Sequence, residues 1–202
     1  MKLPQKSAAF AHRVAFSVYV ERRLRREGLE TLADEAASLR STLTRLGRSW
    51  EDADVPIQEA LADRDATDDA LDTLAQLIRL TLAARSVDAT EKAPYTQIFP
   101  DALRYYTQAP LDAQTARYGE LKLRLEANLP AGDPLLAQTQ SLDALLATWD
   151  AQVSALETAR TQERMLRDQL DATSAEWDSL MERVYGTLVA EKGRKDAERF
   201  FP

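Results

Sequence analysis

The stretch that decides the fold is LLAQTQSLDALLATWDAQVSALETARTQERMLRDQLDATSAEWDSLMERVY, residues 135–185, which contains neither glycine nor proline. Every seventh residue gives Leu135, Leu142, Trp149, Leu156, Glu163, Leu170, Trp177 and Val184. All but Glu163 are large and apolar, the repeat that buries one stripe of a helix against neighbours. About fifty residues of helix extend roughly 75 Å at 1.5 Å per residue. That exceeds the width of a compact domain of this size. The run therefore reads as a spine along which shorter helices pack in tandem, or which a second copy must help to cover.

The second seam reads Leu146, Val153, Arg160, Arg167, Ser174, Met181 and Leu188. Both seams turn polar together at Arg160, Glu163 and Arg167, forming an ionic waist between two apolar halves. Polar residues at core positions fix register or partner choice at a cost in stability. Glu163 and Arg167 also have the spacing of a helical ion pair. Two other readings compete: the spine leaves the bundle or bends here, or it breaks near Thr161–Arg164. No breaker residue marks a break, so one continuous helix over 134–190 is expected.

Outward from the spine, Pro130-Ala-Gly-Asp-Pro134 is a tight turn, with Asp133 as cap and Pro134 in the first helical turn. A helix over about 111–129 precedes it, with Leu111, Tyr118, Leu121, Leu125 and Leu129 near one face. Residues 87–110 form an irregular connection holding Pro94, Pro100 and Pro110, with a short helix over 101–107 capped by Asp101. Pro56 suits the start of a helix over 56–86, with Asp52 or Asp54 as its cap, and Leu61, Leu71, Leu74, Ile78, Leu80 and Leu82 supply its apolar surface.

The N-terminal third carries helices over about 5–27 and 29–48. The second shows the stripe Leu29, Leu32, Ala36, Leu39, Leu43, Leu46 and Trp50, with Gly47 and Pro56 bracketing its end. Gly28 follows the arginine-rich turn Arg22–Arg26, as a stop signal would. Yet no other turn residue stands beside it, which favours continuity or a mild kink. No stretch alternates β-branched residues between turn signals. The expected fold is a single all-α domain over 1–202, an antiparallel, coiled-coil-like bundle with one very long C-terminal helix.

Composition supports this: alanine and leucine dominate, charged residues make up 29%, and only 6 glycines are present. Arginine greatly outnumbers lysine, as in a GC-rich bacterial coding sequence. The net charge of −7 argues against a nucleic-acid partner. Glu21, Glu27 and Glu30 dilute the Arg22, Arg23, Arg25 and Arg26 cluster, so neither nucleic acid nor a membrane surface is expected there. The apolar segments are too short and polar for a membrane span and lack the order of a signal peptide. A soluble, cytoplasmic protein is the expectation.

The chemistry-bearing residues point away from catalysis. The chain has no cysteine and a single histidine, His12, with Ala9 three residues before it. The Glu-x-x-His pairs of a helical di-metal site are therefore missing. In the cluster Asp63–Asp72, the sixth position of a calcium loop would be Asp68 and the twelfth Leu74, where glycine and glutamate are needed. No phosphate-cradling glycine loop or nucleophile elbow occurs. We expect no cofactor, no metal and no enzymatic activity.

Two aromatic groups are candidate interface or docking sites. Tyr95, Phe99, Tyr105 and Tyr106, followed by Tyr118, either present a contact surface or plug the end of the bundle. Phe200 and Phe201, at the end of the chain given, dock onto their own bundle or insert into a partner. The expectation is a non-enzymatic helical scaffold or assembly protein that self-associates or binds another protein. The alternative is a bundle that binds a small molecule or lipid in a pocket near Tyr95–Tyr118.

Overall fold

The computed structural model describes residues 9–202, and the expected helix start at Gln5 lies outside them. Among the described residues there are eight α-helices: α1 Phe10–Arg26, α2 Glu30–Asp52, α3 Asp54–Ala83, α4 Tyr95–Ile98, α5 Arg104–Thr107, α6 Gln114–Asn128, α7 Gln138–Lys192 and α8 Arg194–Ala197. Among the described residues there is no strand. The fold is all-α, and its spine is one 55-residue helix, α7.

The chain divides into two compact units: unit 1 takes the part up to Val55 with Arg160–Pro202, and unit 2 is Pro56–Ala159. Each has its own apolar core. The second boundary falls where the heptad seams turn polar, because α7 changes cores there. Leu142, Leu146 and Trp149 belong to the unit 2 core, and Leu170, Trp177, Met181, Val184 and Leu188 to that of unit 1. The large seam residues of both halves are buried by the chain's own helices, so the spine keeps no long bare strip.

In unit 1, α1 and α2 form a helical hairpin. The expected continuity through Gly28 is wrong. Gly28 has φ of +75°, a conformation that glycine adopts without the Cβ penalty. Its N–H donates to Arg25 O at 3.1 Å, and the Leu29 N–H to Leu24 O at 3.0 Å. These two bonds close a helix by the Schellman pattern. The turn needed no second breaker because the backbone itself satisfies the freed carbonyls.

All seven residues of the predicted α2 stripe reach the unit 1 core. Helix α2 runs past Gly47 to Asp52, farther than expected, and here glycine serves packing rather than termination. A Cβ at Gly47 would collide with the ring of Phe10. Only Ala53, in helical geometry (φ −71°, ψ −14°), separates α2 from α3. Asp52 and Asp54 are therefore helical residues and neither stands at the expected cap position.

In unit 2, α3, α6 and the first part of α7 surround Leu71, Ile78, Leu82, Leu121, Leu125, Leu142 and Trp149. Asp133 caps as expected, accepting from the Leu135 N–H at 3.0 Å, although Pro134–Ala137 form a 3-10 turn before α7 begins. Asp101 does not cap: α5 starts at Arg104 behind Leu103, after Ala102 takes a positive φ of 62°. Leu111 lies in a 3-10 turn and, like Leu80 on α3, is about half exposed rather than in the core.

Candidate functional site

Three places could serve a function: a groove in unit 1, the aromatic cluster of unit 2, and the outer face of α3. The groove, of about 790 Å³, lies along α7 and is lined by Phe10, Arg13, Trp50, Arg167, Asp178 and Glu182, among others. Arg13 is only 3% exposed, donates to Asp178 Oδ1 at 3.3 Å and stands 5.8 Å from the centre of the Trp177 ring. Ser17 sits one turn on, donating to Arg13 O at 2.8 Å and accepting from Trp177 Nε1 at 2.6 Å. A buried guanidinium needs such a set of partners to offset its lost hydration. The network ties α1 to α7.

The residues of the waist are placed at this same unit. Glu163 does not pair with Arg167; it accepts from Trp50 Nε1 at 2.8 Å and so fastens α2 to α7. Arg167 lines the groove instead, and Arg160 stands at the unit boundary. His12 lies exposed on α1.

In unit 2 the aromatics come together as rings packed on rings. Phe99 meets Tyr106 edge-on at 5.6 Å, Tyr105 meets Tyr106 at 5.2 Å, and Tyr95 lies 5.7 Å from Phe99. Phe99, Tyr106 and Tyr118 are buried, while Tyr95 and Tyr105 are partly exposed. Burial pushes the Tyr106 phenol up to about 12, and its hydroxyl donates to Ile98 O at 2.9 Å. Arg117 covers the Tyr105 ring at 4.6 Å. Stacked cations and filled hydroxyls make this a joint between the Pro94–Pro110 segment and α6.

Phe200 and Phe201 are seated in their own unit, 3% and 6% exposed. After a turn at Gly193, the tail brings Phe201 to 6.1 Å from Phe16 and 5.7 Å from Tyr185. Arg23 and Lys192 lie over the Phe200 ring at 5.6 and 5.9 Å.

The acidic first half of α3, which fits no calcium loop, is partly engaged in packing against α6. Asp72 accepts from the Tyr118 hydroxyl and Asp68 from the Gln114 amide, so two carboxylates four residues apart are drawn toward a buried surface. Desolvation raises both carboxyls above the ordinary aspartate range, with neighbouring aspartates adding to the shift. A raised folded-state pKa contributes stability that is complete below the unfolded value and lost as pH rises through the folded one. Asp68→Asn keeps the acceptor for Gln114 without the charge. It should melt higher than wild type at pH 7, and the gap should close as pH falls to about 4, near the unfolded pKa. Melting curves across that range check this; a constant gap, or a less stable variant at neutral pH, contradicts it.

Among the described residues, no group of three or more His, Asp or Glu side chains is arranged to hold a metal ion. No described helix is long and apolar enough to cross a membrane. No protein-family model, curated protein or solved structure matches the chain.

The third place is not singled out in sequence, where Leu80 counts with the other apolar residues of its helix and Leu77 goes unnamed. Leu77 and Leu80 of α3 are each 50% exposed. They lie on the side of α3 away from its core residues Leu71, Ala75, Ile78 and Leu82. One apolar stripe accounts for a helix packed on one side, so a second stripe calls for a second neighbour.

Proposed function

We propose that this is a non-enzymatic interaction protein that acts through helix surfaces and self-associates. The observation that carries the reading is the outer face of α3, where Leu77 and Leu80 stay half exposed although their helix already buries a full apolar side. By contrast, the striking residue groups of the sequence are used internally. The Arg13 network, the tyrosine cluster and the terminal phenylalanines each fasten one element of the chain to another. A half-open groove in unit 1 offers a further helical surface.

Sedimentation equilibrium tests the reading directly. The mass per particle should rise with concentration toward a multiple of 22.6 kDa. A particle that stays at the mass of one chain up to about 1 mM, the limit of weak association, contradicts it.

A further inference from the structure

We infer that the partner of the α3 outer face is a second copy of the same helix, packed antiparallel in a two-fold dimer. The inference rests on the self-association reading above and adds its surface, orientation and register.

The outer stripe of α3 is Ala66, Ala70, Thr73, Leu77 and Leu80, and Ala84 continues it one residue past the helix. Its steps alternate four and three residues, the spacing of a coiled-coil seam. Ala66, Thr73, Leu77, Leu80 and Ala84 are exposed and Ala70 is half-buried. The Ala84 N–H still donates to Leu80 O at 3.0 Å, so helical geometry carries through to that residue.

Charge selects the orientation. From residue 59 to 72 the helix carries six carboxylates and one arginine; from 73 to its end at Ala83 it carries Arg79 and no carboxylate, and Arg85 just beyond it donates to Asp133 of its own chain at 2.7 Å. A parallel pair would set the acidic halves side by side, which is destabilising at this spacing. An antiparallel pair lays each acidic half along the half without carboxylates. The helix therefore accepts a second copy of itself in one direction and repels it in the other. An isologous two-fold contact sets the same surface of both copies against each other, so it requires such a permitted direction.

Size selects the register. With the two-fold axis between Thr73 and Leu77, Leu80 meets Ala70 of the other copy, Leu77 meets Thr73, and Ala84 meets Ala66. Each leucine then faces a smaller residue, the alternation that lets facing helices interdigitate. A parallel, in-register pair would set leucine on leucine and alanine on alanine, leaving alternate gaps and bulges.

The test compares wild type with the double variant Leu77→Glu, Leu80→Glu by sedimentation equilibrium, with Leu123→Glu on α6 as a control at an exposed site. The α3 variant should raise the dimer dissociation constant by at least about 100-fold, and the control should leave it within about threefold. Because both leucines face solvent in the single chain, the variant should keep the wild-type circular dichroism. If wild type associates and the α3 variant associates equally, the surface is wrong and self-association stands. If wild type never associates, both readings fall.

Orientation is read independently of those substitutions. The chain lacks cysteine, so Ala66→Cys accepts a single spin label. In the antiparallel register, residue 66 lies beside residue 84 of its partner, which puts the two labels roughly 27 Å apart along the helix. Labels in near contact, or no defined distance, overturn the antiparallel pair.

Discussion

Trp177→Ala is expected to cost unit 1 roughly 3–5 kcal/mol, the range for removing a large aromatic from a packed core. Trp177 is fully buried, its Nε1–H bonds Ser17 at 2.6 Å, and Phe16 meets its ring edge-on at 5.4 Å. Alanine leaves a cavity, strips Ser17 of its buried donor and bares one side of the Arg13 guanidinium. For a unit of about a hundred residues, a loss of that size lowers the melting temperature by more than about 12 °C. Trp177→Phe should fall between, since it keeps most of the packing and loses only the hydrogen bond. Thermal unfolding followed by circular dichroism reads both. A loss under about 1 kcal/mol for the alanine variant would mean that Trp177 does not hold α1 to α7.

Truncation after Glu198 is the second large effect. It removes Phe200 and Phe201, both almost completely buried in unit 1. Each buried phenylalanine is worth about 1.5–3 kcal/mol, so the truncated chain should lose roughly 3–6 kcal/mol. Its association should be unchanged, because the tail packs on Phe16 and Tyr185 of its own unit. Thermal melts combined with sedimentation separate the two effects. Unchanged stability with lost association would mean that the phenylalanines serve another chain.

What sequence could reveal follows from where the information lies. The spine and the α2 stripe were legible because a repeat of three and four residues, free of breakers, has one physical solution. The turn at Gly28 was misjudged because a Schellman closure is made by backbone bonds and leaves only a glycine in the sequence. The two cores were written in the seam itself. The polar positions Arg160, Glu163 and Arg167 mark where α7 changes neighbours, but periodicity cannot say whether such a gap faces water, a partner or a boundary.

The same limit applies to the candidate sites. Tyrosine clusters and terminal phenylalanines stand out in a sequence, and both are used inside the chain. The outer stripe of α3 stands out less, because Leu80 reads like one more core leucine until the inward face is known. Only the fold separates the stripe that is covered from the one that is not.

The central claim is that α7 stays helical through the waist while the core around it changes. Backbone chemical shifts of residues 157–168 test this most directly. Helical Cα shifts without interruption from Gln138 to Lys192 are the predicted result. Coil-like shifts at 158–166 would mean two helices and would contradict the account.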